Sequence, residues 1–123
     1  MAKKILIADD EQNIVISLEF LMKREGYEVL IANDGEEAVQ RIRAEVPDLV
    51  LLDVMMPKKS GFEVCQEIKS DPELQGVRIL MLTAKGRDTE MAKGLALGAD
   101  AYMTKPFSTK ELVERVRGLL AER

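Results

Sequence analysis

Five short apolar runs recur along the chain, at Lys4–Ala8, Glu28–Ala32, Asp48–Leu52, Arg78–Leu82 and, more weakly, Asp100–Thr104. A strand with one wet face alternates apolar and polar residues. Here four of the runs are continuously apolar over three to five residues, which fits strands covered on both faces of a parallel sheet. Between the runs the period lengthens to that of a helix. Ile14, Leu18, Leu21 and Met22 fall on one helical stripe, and Leu112, Val116, Leu119 and Leu120 on another. Asp34 with Glu37, and Ser108 with Glu111, have the spacing of a capping box at a helix start. Gly26 and Gly98 stand where a helix would stop before the next strand.

The pattern predicts β-α repeated five times with no linker, internal repeat or low-complexity segment, hence a single domain over residues 1–123. Such alternation implies a three-layer α/β sandwich: a five-stranded parallel sheet, right-handed crossovers and five helices. The expected strand order is 2-1-3-4-5, the flavodoxin-like order. The alternative is an open Rossmann-like half, but "IADDEQN" lacks the glycine-rich phosphate turn that it requires.

This topology locates the chemistry. In such sheets the functional crevice lies beyond the carboxyl ends of the strands where the order reverses, here between strands 1 and 3. Strand 1 ends in Asp9-Asp10, strand 3 in Asp53 and strand 4 in Thr83, while strand 5 runs into Lys105. Three carboxylates, a hydroxyl and an ammonium thus converge from four segments. Carboxylates held together resist joint ionisation unless a cation offsets them. Oxygen ligands of this kind suit Mg²⁺ or Mn²⁺. A lysine and a hydroxyl beside the metal would form a receptor for a phosphoryl group, whose transfer asks mainly for positioning and charge neutralisation.

Composition narrows the field. The chain has no histidine, which removes His-based acid–base chemistry and any phosphohistidine of its own, and leaves an aspartate carboxylate as the plausible nucleophile. A single Cys65 rules out an internal disulfide and suits a reducing compartment. A net charge of −4 argues against a broad nucleic-acid-binding face. No apolar run approaches the ~20 residues needed to span a bilayer, and the start "MAKKILIADD" meets acid too soon for a signal peptide. A cytoplasmic location is expected, with no membrane contact.

The motifs "IADD", "LLDVMMPKKSG", "MLTA", "GADAYMTKPF" and "ELVERV", in this order and at these spacings, resemble the receiver domain of two-component response regulators from Lys4 to about Leu120. The resemblance implies a phosphorylation-dependent switch. Asp53 would accept a phosphoryl group from a sensor histidine kinase or phosphotransfer protein, and the changed conformation would control a downstream partner or output domain of unknown identity. Mg²⁺ would be bound by Asp10, Asp53 and the backbone carbonyl of Met55, with Asp9 assisting through water. Lys105 and Thr83 would contact the phosphoryl oxygens. Tyr102 would be the aromatic that moves inward on activation, and Lys105-Pro106 would be a cis peptide. The domain would be no enzyme beyond its own phosphotransfer and a slow self-dephosphorylation, with Met55 and Lys85 flanking the approach of water. It would be a monomer or a weak phosphorylation-dependent dimer through helix 4, strand 5 and helix 5. Asp100, Arg115 and Arg117 match the charge pattern of that dimer, whereas Met91, Ala96 and Ala101 do not.

Two other classes fit the sequence less well. A Mg²⁺-dependent phosphatase of the haloacid dehalogenase type would carry a general acid–base two residues after its nucleophile, where this chain has Met55. A degenerate, phosphorylation-independent interaction domain would require a broken pocket. For the remaining residues a structural role is expected. The plain alternative for Asp9 and Asp10 is simply to cap helix 1, Asp10 combining both roles, and Glu11 would be a solvated first-turn residue. Lys58 and Lys59 would lie in a solvated loop, Met55, Met56, Met81, Met91 and Met103 would be core filler, and Cys65 a packed inert thiol.

Overall fold

The structure is a computed structural model in which residues 2–84 and 88–121 are described. Its elements alternate throughout: β1 (Lys4–Ala8), α1 (Gln12–Arg24), β2 (Glu28–Ala32), α2 (Gly35–Glu45), β3 (Leu49–Asp53), α3 (Gly61–Ser70), β4 (Arg78–Ala84), α4 (Asp88–Ala96), β5 (Ala101–Lys105) and α5 (Thr109–Ala121), with a 3-10 turn at Pro72–Leu74 after α3. The strands form one sheet in the order β2-β1-β3-β4-β5, every pair parallel. This is the expected order. The third and fifth strands each begin one residue later than the apolar run suggested, and the fourth extends two residues further, to Ala84.

The unbroken apolar runs have a direct physical cause. Alternate residues of one strand point to opposite faces, and both faces are dry. Ile5 and Ile7 join Leu49, Leu51, Leu80 and Leu82 beneath α1 and α5. Leu6 and Ala8 join Val50, Leu52, Ile79 and Met81 beneath α2 and α3. Each fully buried Leu or Ile contributes about 1.5–3 kcal/mol, so the central strands alone anchor the layers. The α1 stripe is rotated by one position from the expected one. Val15, Leu18 and Met22 are buried, while Ile14 and Leu21 lie at the margin.

The helix ends follow their local chemistry with two corrections. Asp34 accepts from the Glu37 N–H at 2.8 Å, but the Glu37 carboxylate turns to the Asn33 N–H, one residue before the cap. The complete capping box is instead at Ser60 and Glu63, where the bonds run both ways. Gly26 and Gly98 close α1 and α4 at φ of 91° and 107°, the left-handed region that favours glycine. Val46 ends α2 at φ 44°, an unusual conformation for a β-branched residue, which no local signal announced.

Candidate functional site

Four strand ends deliver the site. β1 releases the chain at Asp9-Asp10, β3 ends on Asp53, β4 carries Thr83 one residue before its end, and β5 ends on Lys105. Because β1, β3, β4 and β5 are neighbours in a parallel sheet, these residues meet at one edge. Asp9, Asp53 and Thr83 are buried, whereas Asp10 is exposed at the rim.

Lys105 reaches into this cluster with its side chain mostly covered. Its ammonium donates to Asp9 at 3.0 Å, to Glu11 at 3.2 Å and to Asp53 at 3.3 Å. Burial opposes its charge, but the three carboxylates outweigh burial and raise its pKa. Asp53 feels the reverse balance. Burial first, then the Asp9 carboxylate, push its pKa up from 3.8 to about 6, against the pull of Lys105. One lysine therefore does not neutralise this pocket. Asp9, Asp10 and Asp53 each present an oxygen within 4.8 Å of the others, a spacing at which one cation can bind all three. The donors are hard oxygens, suited to Mg²⁺.

The Thr83 hydroxyl is buried and has no hydrogen-bond partner among the described residues. An unpaired buried hydroxyl costs about 1–3 kcal/mol, so it is a donor in wait of an acceptor. Met55 is 64% exposed. It is therefore not core filler, unlike Met81 and Met103. The loop that carries it is clamped by two glycines. A Cβ at Gly61 would lie 2.3 Å from the Asp53 carbonyl oxygen, and one at Gly35 would lie 2.0 Å from that of Lys59. The Gly61 N–H donates to the Val54 carbonyl at 2.8 Å. Sequence reasoning missed these contacts because the backbone each glycine meets belongs to a segment distant in sequence or on the far side of a loop.

Several other expectations change. Neither Asp9 nor Asp10 caps α1. The cap residue is Glu11, with no side-chain bond to the helix, and Asp9 instead accepts from the Glu11 N–H at 2.9 Å. Glu11 is exposed, as expected, yet also paired with Lys105. Lys58 is exposed, as expected, 3.9 Å from Asp34, whereas Lys59 is half-buried and pairs with Glu67. Lys105-Pro106 is cis. Tyr102 is half-buried against the α2–α3 side of the core. Cys65 is buried, with its thiol pushed up by burial to about 11, which makes it unreactive. Asp100 is engaged within the domain by Lys69 at 3.1 Å and the Ile79 N–H at 2.7 Å, and Arg117 by Glu25 at 2.5 Å. Lys85 lies outside the described residues, whose helices include none long and apolar enough to cross a membrane.

Comparisons with known proteins agree with this geometry. The chain is 49% identical over 120 residues to the alkaline phosphatase synthesis transcriptional regulatory protein PhoP of Bacillus subtilis (strain 168). That match takes in 98% of this chain and 49% of PhoP, so the chain spans about half the length of that relative. Among solved structures, a CheY-like response regulator receiver domain protein from Methanospirillum hungatei JF-1 superposes with a TM-score of 0.92 at 32% identity, covering 99% of this chain and 96% of that one. The Vibrio cholerae chemotaxis protein CheY4 superposes with a TM-score of 0.89 at 29% identity, covering 97% and 99%. The profile of the response regulator receiver domain matches residues 5–117, and the chain belongs to that family.

Proposed function

We propose that this domain is a phosphorylation-controlled switch of a two-component system, with Asp53 as the acceptor. The observation that carries the reading is the combination of a buried Asp53, under-neutralised by Lys105, with a buried Thr83 hydroxyl that has no partner among the described residues. In the transfer, an oxygen of the ionised Asp53 carboxylate bonds to phosphorus as the bond from phosphorus to the donor's imidazole nitrogen breaks. Asp10, Asp53 and the Met55 carbonyl would hold Mg²⁺, with Asp9 helping through water. The metal supplies positive charge against the phosphoryl oxygens. Thr83 then donates its free hydroxyl to one of those oxygens, and Lys105 pairs with another.

The energy available is of the right size. Moving a population from 1:99 to 99:1 needs about 5.5 kcal/mol. A phosphoryl group brings about −2 charge, and each charge-assisted hydrogen bond contributes ~1.5–3 kcal/mol. Two or three new bonds suffice, provided they are absent from the resting state. The movement of Tyr102 and a partner surface at β5 would follow. The donor would be a sensor histidine kinase or phosphotransfer protein and the receiver of the signal a downstream protein, with the domain cytoplasmic and not itself contacting nucleic acid. The domain would be a monomer or a weak phosphorylation-dependent dimer.

Incubation with Mg²⁺ and acetyl phosphate tests the reading. The chain should gain the mass of one phosphate, and Mg²⁺ alone should raise the melting temperature by mass action. No mass gain and no melting shift in millimolar Mg²⁺ would remove both the acceptor and the metal. Lys105→Ala should still accept phosphate but lose the conformational response. Without one charge-assisted bond the active-to-resting ratio should fall roughly ten- to hundred-fold. Nuclear magnetic resonance spectra of phosphorylated wild type and variant that shift identically would contradict that role.

A further inference from the structure

A lysine ammonium has three N–H donors, and the resting domain occupies all three. The acceptors are Asp9, Glu11 and Asp53 at 3.0, 3.2 and 3.3 Å. They are not equivalent. Asp9 is fully buried and Asp53 nearly so, and both need a cation nearby. The Glu11 side chain is 60% exposed, so water can solvate it without Lys105. Nor does that side chain serve the helix it begins, since it makes no cap bond. Its contact with Lys105 therefore has its main consequence for the lysine.

We propose that Glu11 is a positioning residue that restrains Lys105 in the resting domain, and that a phosphoryl oxygen displaces it. This inference rests on Asp53 being the acceptor. The donor given to Asp53 follows that residue into the acyl phosphate, so any further Lys105 bond to a phosphoryl oxygen must be taken from Asp9 or Glu11. Releasing Asp9 would strand a buried carboxylate, whereas releasing Glu11 returns an exposed one to water. Glu11 is thus the exchangeable third partner. It stabilises the resting state and opposes activation by the strength of one exposed ion pair, or about two- to five-fold in the equilibrium.

Beryllofluoride, a mimic of the acyl phosphate that adds to a carboxylate oxygen, provides the test. Its affinity and that of Mg²⁺ alone are measured for wild type, Glu11→Gln and Glu11→Asp. The first variant removes the charge. The second keeps it but withdraws the carboxylate by one methylene, beyond reach of Lys105. Both should bind beryllofluoride about two- to five-fold more tightly, with Mg²⁺ affinity changed far less. The gain should shrink in high salt, which screens exposed pairs, and the resting Lys105 side-chain resonances should shift in both. Unchanged or weaker beryllofluoride binding overturns the proposal. So does tightening in Glu11→Gln alone, which would be a bulk charge effect, or a matching loss of Mg²⁺ affinity, which would make Glu11 part of the metal site. Failure of wild type to bind beryllofluoride with Mg²⁺ would instead overturn the acceptor reading beneath it.

Discussion

Asp53→Asn is expected to abolish phosphate incorporation and, without Mg²⁺, to make the domain more stable at pH 7. The amide is nearly isosteric with the carboxylate but a poor nucleophile. The stability gain follows from linkage. Asp53 titrates at about 6 in the folded domain against an ordinary 3.8, so the folded state binds this proton more tightly than the unfolded one. Wild-type stability therefore falls as pH rises from ~4 to ~6, and the loss is complete above that window. A shift of about two pH units corresponds to on the order of 3 kcal/mol, or roughly 10 °C in melting temperature for a domain of this size. The variant lacks the ionisation, so its advantage should vanish near pH 4. Mg²⁺ should narrow it from the other side by stabilising wild type alone. Urea melts at several pH values check the sign. A variant less stable than wild type at pH 7 would mean that Lys105 fully compensates the Asp53 charge.

Gly61→Ala should destabilise the domain by about 3 kcal/mol or more, at the upper end of what overpacking costs. The new methyl would sit 2.3 Å from the Asp53 carbonyl oxygen and 2.9 Å from the Val54 Cα. Both neighbours are backbone, so neither can swing aside as a side chain would. The loop must move and take the Met55 carbonyl with it, so the Mg²⁺-induced rise in melting temperature should be lost as well. Gly76→Ala is the control, because a Cβ there meets nothing within 4 Å, and its effect should stay within about 0.5 kcal/mol. A small cost at Gly61 with the Mg²⁺ response intact would show that the loop is not held by that approach.

The sheet was legible because its strands are dry on both faces. An unbroken "ILIA" or "LVLL" admits few other settings, and two-faced burial of Ile5, Leu6 and Ile7 is what the structure shows. The convergence of Asp9, Asp53, Thr83 and Lys105 was legible through topology, since the strand order brings four sequence-distant ends to one edge. Contacts that exist only between segments left no local trace. Glu11 reads as an ordinary first-turn acid, and nothing nearby in sequence announces a lysine 94 positions away. Gly35 and Gly61 open α2 and α3, and nothing local announces the backbone of Lys59, Asp53 and Val54 packed against them. The pairing of Asp100 with Lys69 on α3, and of Arg117 with Glu25 just beyond the end of α1, is likewise invisible in the sequence. Met55 belongs to an apolar stretch, yet it follows the strand out of the core and is exposed.

The location of the phosphoryl group tests the central claim most directly. The domain is loaded with acetyl phosphate and Mg²⁺, quenched and treated with borohydride, which reduces an aspartyl phosphate to homoserine, and then mapped by peptide mass spectrometry. Homoserine is expected at position 53 and at no other acid, dependent on both Mg²⁺ and acetyl phosphate. Homoserine at Asp9 or Asp10 with an unmodified Asp53, or no conversion in a sample that has gained phosphate mass, would contradict it.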